Sequence, residues 1–168
     1  LTKFKLPSRS LLLKVLILIE KLSCAFSDHV IVSNHIWKNT LISRSVKEEK
    51  CTVILNYPDE AIFFKRTNKK PNNRFTIIYT GTLNLYQGVD VAIKAFAAIK
   101  EHMPTSEFQI YGEGDARNFL NNLIISLGIQ NEVFLNAAVP INRAAQIMAD
   151  ADLGLEPKRA DGFADEAL

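Results

Sequence analysis

FTIIYTGTLNLYQGVDVAIKAF, Phe75 to Phe96, is the stretch that decides the fold. Phe75 to Gly81 is an apolar, β-branched run that reads as a strand, and Gly81-Thr82 ends it in a small-residue turn. A helix is expected over 88–101, because Val89, Ala92, Ile93, Phe96 and Ile99 recur with the helical period. Strand, small turn and helix in this order is the usual build of a phosphate cradle. No Lys or Arg lies between Tyr79 and Asp90. An anion held by this loop would rely on backbone N–H groups and on the partial positive charge of a helix terminus, with any full charge brought from elsewhere.

The same unit repeats toward the carboxyl end. EFQIY (107–111) reads as a second strand, followed by Gly112-Glu113-Gly114-Asp115 and a helix over 116–127 with Phe119, Leu120, Leu123, Ile124 and Leu127 on one face. Gly128 is placed to stop that helix as a left-handed cap. VFL (133–135) is a third strand, 142–149 a third helix with Asn142 as its N-cap, and ADLGLEP (151–157) a fourth strand. Four strands alternating with three helices specify an α/β fold, a Rossmann-like parallel sheet with helices on both faces. Ligands bind such sheets beyond the carboxyl ends of the strands. The chemistry is therefore expected at Gly81-Thr82, Gly112 to Asp115, Asn136, and Pro157 to Asp161.

Toward the amino end, the apolar residues at 12, 13, 16, 17, 19 and 22 predict a helix over 8–24 with a buried face. VIV (30–32) reads as a short strand, Ser33-Asn34 as a cap, 35–45 as a helix, and CTVILN (51–56) as a strand ended by Pro58. FKRTNKKPNNR then brings Lys65, Arg66, Lys69, Lys70 and Arg74 without an acid. It reads as a solvated linker, the alternative being a patch for anionic lipid headgroups. These breaks divide the chain into 1–58, a linker over 59–74, and a domain over 75–168.

Composition narrows the class. Of 168 residues 48% are hydrophobic and 23% charged, which excludes a disordered or collagen-like chain. A net charge of +2 gives no global basic field, so nucleic acid is not an expected partner. Cys24 and Cys51 form no disulfide framework and have no zinc spacing, and are read as reduced core residues. Nothing before Leu11 resembles a signal peptide, and the apolar run over 11–20 contains Lys14 and falls short of the ~20 residues a membrane span needs. The first residue is Leu, and Leu168 falls inside what reads as a beginning helix, so the chain is expected to be a piece of a longer protein.

The loops carry the candidate site. YGEGDA has a G-x-G, but position 117 is Arg where a dinucleotide fingerprint has its third Gly, and the ribose-binding acid is missing. A nucleotide-dependent oxidoreductase is thereby disfavoured, while a mononucleotide fits. In EPKRADGFADEAL, Lys158 and Arg159 follow a buried strand directly and Asp161, Asp165 and Glu166 come close behind, a clustering suited to phosphate recognition. None of His29, His35 and His102 has a Ser or Cys partner in a recognisable motif, so triad chemistry is unsupported. No cluster of metal ligands stands out.

In this order GTLNLYQGVDVAIKAF, FQIYGEG, VFLNAAV and ADLGLEP, preceded by DHVIVSN and VILNYPDEAIF, resemble the carboxyl-terminal half of a retaining GT-B glycosyltransferase of glycosyltransferase family 4. The resemblance implies a truncated two-domain GT-B architecture: the tail of an acceptor domain, then an incomplete donor-binding domain. It implies a nucleotide-diphosphate-sugar donor, a saccharide or lipid-linked acceptor, no tightly bound cofactor or metal, and a cytoplasmic place, with peripheral association at the inner face of a membrane left open. It implies that Gly81, Thr82, Gly88, Gly112, Gly114, Asn136, Lys158 and Arg159 contact the donor. The family's pair of Glu residues, separated by seven positions, would begin at Glu166, as the catalytic residue that positions donor hydroxyls, and end beyond Leu168. The family's first-loop Arg and Lys are replaced here by Thr82 and Gln87. A subgroup with a similar first loop and a PKRADGF-like fourth loop resembles polysaccharide-building enzymes. The resemblance thus casts Gly81 and the helix end near Gly88 as diphosphate contacts, with the charge supplied by Lys158 or Arg159. A transferase lacking its usual cations could also have become a non-catalytic nucleotide- or sugar-binding protein on the same fold.

Overall fold

The computed structural model describes residues 10–64 and 74–159. These form two compact units, one ending at Tyr57 and the other spanning Pro58–Arg159.

In the first unit, helix α1 (Leu11–Phe26) is followed by strand β1 (Val30–Val32), helix α2 (His35–Ile42) and strand β2 (Cys51–Val53), with β1 and β2 parallel and Val30 beside Cys51. Asn34 caps α2 as expected, its Oδ1 accepting the Trp37 N–H at 2.8 Å. Glu20 on α1 accepts two hydrogen bonds from Arg44, at 2.8 and 2.6 Å, and one from Ser45. The hydrogen bond from Arg44 comes first among the influences that hold the Glu20 carboxyl below its ordinary value. Lys50 Nζ donates to the carbonyls of Cys24 and Ala25 at the end of α1, where a cation suits unpaired carbonyls and the dipole. Cys24 and Cys51 are free and buried.

Three expectations are corrected here. The face of α1 is not buried: Leu12, Ile19 and Leu22 are exposed, 13, 16 and 17 are half-buried, and Cys24 is the one buried residue of the helix. Two three-residue strands and an eight-residue helix cannot cover sixteen helical positions. The strand expected over 51–56 stops at Val53, where β1 runs out of residues to pair, Ile54 N–H making the last bond to Val32 O. Helix α2 ends at Ile42, because the Leu41 carbonyl accepts from Arg44, Ser45 and Val46 and closes the turn.

The second unit opens with a turn over 59–63, capped by Asp59 Oδ1 accepting the Ala61 N–H. The α/β alternation then follows: β3 (Phe75–Thr80), α3 (Val89–Ile99), β4 (Ser106–Tyr111), α4 (Arg117–Ser126), β5 (Val133–Asn136), α5 (Ile141–Asp150) and β6 (Leu153–Gly154). All four strands are parallel, in the order β5-β4-β3-β6. Right-handed crossovers put α3 and α4 on one face. There Ile77, Tyr79, Phe108 and Ile110 meet Val89, Ile93, Phe96, Leu120 and Ile124 in one core. Helix α5 returns across the sheet from β5 to β6 and so covers the other face, burying Ala145. Gly128 takes the expected left-handed conformation (φ 66°), with Ile129 N–H returning to Ile124 O, a Schellman closure.

The ends of two elements differ from expectation. Helix α5 starts one residue early because Pro140, with φ −56°, is already set for a helix entry and its carbonyl accepts the N–H groups of Arg143 and Ala144, leaving Asn142 inside the helix and not at its cap. The fourth strand pairs over two residues only, flanked by Asp152 N–H to Thr76 O and Leu155 N–H to Ile78 O.

Candidate functional site

Parallel register brings three strand ends level, Thr80 beside Tyr111 and Tyr111 beside Asn136. The loops beyond them interlock through their backbones. Gly81 N–H donates to Tyr111 O (3.0 Å), Leu83 N–H to Glu113 O (2.9 Å), and Ala116 N–H to Leu83 O (3.0 Å). Leu83 is fully buried and anchors this joint. A Cβ on Gly112 would collide with the carbonyl oxygen of Gly81, and one on Gly114 with that of Leu83. Glycine is needed at 112 and 114 because backbone packs on backbone there.

Beyond this floor lies an open cleft of about 400 Å³, lined by Thr80–Thr82, by Tyr111–Glu113, and by Ala138, Val139 and Ala144 on the α5 side. Among these lining residues the one ionised group is Glu113, which is exposed. Hydroxyls and backbone therefore set the polarity of the cleft. Tyr79 supports it from below, its phenol donating to Thr82 O at 2.9 Å. Burial, and secondarily the charge of Glu156, push that phenol up to about 12.

Arg117 has a part that sequence reading missed. Its guanidinium donates to Gly112 O (2.9 Å), Asn136 O (3.0 Å) and Leu135 O (3.0 Å), bracing the ends of β4 and β5. The available signal was an Arg in the first turn after a G-x-G, where a dinucleotide fingerprint keeps a glycine. Asn136 is engaged as well: its side chain donates to Gln109 Oε1 at 2.9 Å, and its carbonyl accepts from Gly112 and Arg117.

The strand order reverses at β3, which lies between β4 and the last strand, β6. Such a switch point opens a crevice at the carboxyl ends. The segment after β6 therefore reaches the loop after β3. Arg159 N–H donates to Tyr86 O (3.3 Å), its Nε to Leu85 O (2.9 Å), and its Nη2 to Asp90 Oδ2 (2.6 Å). Asp90, in the first turn of α3, is only 4% exposed, and its Oδ1 finds no partner among the described residues. Gly88 sits between them at φ 68°, where a Cβ would strike Pro157 O. Lys158 pairs with Glu156 at 3.2 Å, the Glu156 side chain being 52% exposed. The two pairs differ in setting. Asp90 is buried, but Arg159 is 43% exposed and Lys94 Nζ stands 4.0 Å from the same Oδ2, whereas Lys158 is 26% exposed and pairs with a half-exposed Glu156, a kind of pair worth about 0–1 kcal/mol.

Of the expected site residues, Gly81, Thr82 and Gly112 line the cleft, Gly114 and Asn136 stand behind it, and Gly88, Lys158 and Arg159 lie at the switch point. Glu166 and Asp161 are outside the described residues, as are four of the five basic residues of the 65–74 segment. Among the described residues no group of His, Cys, Asp or Glu could hold a metal ion, and no helix is long and apolar enough to cross a membrane.

The family described as glycosyl transferases group 1 matches residues 60–167. An uncharacterized glycosyltransferase of Methanocaldococcus jannaschii is 26% identical over 149 residues, covering 76% of this chain and 38% of that protein. A phosphatidylinositol N-acetylglucosaminyltransferase subunit from Arabidopsis thaliana is 22% identical over 142 residues, covering 84% of this chain and 32% of its own length. The chain thus spans about a third of these curated relatives. Among solved structures, a mutant of S. aureus TarM in complex with fondaparinux, α-GlcNAc-glycerol and UDP superposes with a TM-score of 0.71 at 16% identity, over 87% of this chain and 28% of that one. Anabaena HepE in complex with UDP and glucose gives 0.67 at 21% identity, over 86% and 42%. At these identities the likeness shows a shared GT-B fold.

Proposed function

Since the chain belongs to the glycosyl transferases group 1 family, we propose that it is the donor-binding part of a retaining, family 4 type glycosyltransferase. The whole protein would move a hexose from a nucleotide-diphosphate sugar to a saccharide or lipid-linked acceptor, in the cytoplasm, during polysaccharide synthesis. One observation carries this reading: the cleft of about 400 Å³ beyond β3 and β4, with Gly81 and Gly112 at its floor. Such a cleft admits a nucleotide against bare backbone. Likeness to TarM and HepE, whose structures contain UDP, supports a nucleoside diphosphate as ligand.

Sugar transfer develops positive charge at the anomeric carbon and negative charge on the departing diphosphate. Fixed N–H groups and cations beside that diphosphate stabilise the transition state beyond the ground state. The backbone of Gly81 and Thr82 and the cations after β6 would serve the diphosphate, while the turn over 112–115 and the segment after Asn136 would serve the nucleoside. Glu166, by its place in the sequence, would orient donor hydroxyls.

Calorimetric titration of the full chain with UDP, GDP and their sugar conjugates tests the reading. Saturable binding of one nucleoside diphosphate is expected. Binding of a reduced dinucleotide in preference to all of them would instead mark an oxidoreductase. The absence of cations at Thr82 and Gln87 favours a second reading, a non-catalytic nucleotide- or sugar-binding protein. Sugar transfer or donor hydrolysis by the whole protein would eliminate it.

A further inference from the structure

Resting on the donor-binding reading, we infer that the two neighbouring cations of the loop after β6 have divided their work: Lys158 meets the diphosphate, and Arg159 is a positioning residue committed to Asp90. Three observations separate them. Arg159 spends both its backbone N–H and its guanidinium on the 85–90 segment, through Tyr86 O, Leu85 O and Asp90. Its partner Asp90 is buried, with one carboxylate oxygen lacking a hydrogen bond among the described residues, so an Arg159 that turned toward a ligand would give up its 2.6 Å bond and leave Asp90 to Lys94, whose ammonium stands 4.0 Å away. The contact between Gly88 and Pro157 O closes the same joint from the backbone side. Among the described residues Lys158 pairs with Glu156 alone, half of whose side chain faces solvent. The backbone on either side of Lys158 meets the first loop, Pro157 O at Gly88 and Arg159 N–H at Tyr86 O, which carries Lys158 to a loop with no cation between Tyr79 and Asp90. Lys158 can exchange a weak partner for a diphosphate at little cost.

Asp90 also accounts for the amino end of α3. A carboxylate in the first helical turn already answers the helix dipole, and Gly88 N–H is used by Leu85 O. The dipole of that helix end is thereby answered by a carboxylate, and the charge requirement of a diphosphate falls to Lys158.

The experiment compares binding of a nucleoside diphosphate with binding of its nucleoside (UDP against uridine, GDP against guanosine) to the full chain at several NaCl concentrations. Lys158→Gln is expected to weaken diphosphate binding about tenfold, the loss of one charge-assisted hydrogen bond, to leave nucleoside binding within twofold, and to flatten the salt dependence. Lys158→Arg should restore most of it. Arg159→Gln should lower the melting temperature and weaken nucleoside and diphosphate by the same factor, and adding Asp90→Asn should recover the melting temperature while the salt dependence stays intact. The assignment is overturned if Lys158→Gln keeps the diphosphate preference while the Arg159→Gln, Asp90→Asn pair abolishes it. If the unaltered chain binds neither diphosphate, the donor reading and the Lys158 role fall together. The Asp90–Arg159 coupling is then decided by the melting temperatures alone: its absence would overturn the positioning role too.

Discussion

Gly112→Ala should be severely damaging through collision alone, without the positive φ that Gly88 and Gly114 add to theirs, and the structure says why. The added Cβ would stand less than two-thirds of an ordinary carbon–oxygen contact, about 3.3 Å, from Gly81 O, and 3.1 Å from Gly81 C. Both atoms belong to backbone, so no rotamer change relieves the collision. Separating the loops lengthens Gly81 N–H to Tyr111 O and Leu83 N–H to Glu113 O. Two such bonds are worth about 2 kcal/mol together, and overpacking adds roughly 1–3 kcal/mol. A loss near 4 kcal/mol would lower the melting temperature of a unit this size by on the order of 15–30 °C. Two other glycines isolate the cause. Gly128 has φ +66° but nothing within 4 Å of a new Cβ, so Gly128→Ala should cost only the left-handed backbone, about 1–2 kcal/mol. Gly154 has neither strain nor neighbour, and Gly154→Ala should stay within about 0.5 kcal/mol of the parent. Thermal melts followed by circular dichroism, with amide exchange read at Gly81, Leu83 and Ala116, would rank the three. A Gly112→Ala chain melting within a few degrees of the parent, or above Gly128→Ala, would refute the interlocked-loop account.

Two further outcomes follow from the same geometry. Arg117→Met should cost about 2 kcal/mol, since three carbonyls of two strand ends lose a charged donor that is partly exposed; Arg117→Lys should recover only part of the melting temperature, because one ammonium cannot span the fork. For Tyr79, a folded value raised from 10.0 to about 12 means that the fold favours the neutral phenol. Its contribution is complete below pH 10 and is lost as pH rises toward 12, so stability should fall across that window by an amount that Tyr79→Phe removes. An equal slope in the variant would contradict this.

The alternation of strands and helices was legible because it is local: the apolar periods around Phe75, Val89, Phe108 and Leu120 each belong to one element and one core face. Gly128 was legible for the same reason, a single residue ending a single helix. The cleft was legible only as loops, since parallel strands oblige Gly81, Gly112 and Asn136 to come level once the sheet is granted. What stayed hidden depends on partners distant in sequence. Asp90 and Arg159 lie 69 positions apart, and nothing local marks Asp90 as buried, since an acid in a first helical turn is ordinary on an exposed surface. Arg117 reads as a broken fingerprint until its three carbonyl partners are seen. In the first unit, periodicity promised a covered face for α1, but burial needs a partner surface, and the short elements there do not supply one.

On the proposed donor-binding reading, sheet order explains how the loop after β3 can hold a diphosphate without cations of its own. Because β3 has β4 on one side and β6 on the other, the loop after β3 is flanked by a segment more than seventy residues further along the chain. A positive charge missing at Thr82 and Gln87 can be supplied from Lys158 without any change in backbone, since only the carboxyl ends of two adjacent strands are involved. The cost of that arrangement is precision at the joint. A lysine borrowed from another loop serves a ligand only if the two loops keep their register, and a two-residue β6 pairing is too short to ensure it alone. The Asp90–Arg159 pair, with Gly88 allowing Pro157 to approach, extends that pairing past the end of the sheet. On this view the buried carboxylate is retained for the register it enforces between two distant loops, a use for which buried ion pairs are well attested, and its net contribution to stability is secondary.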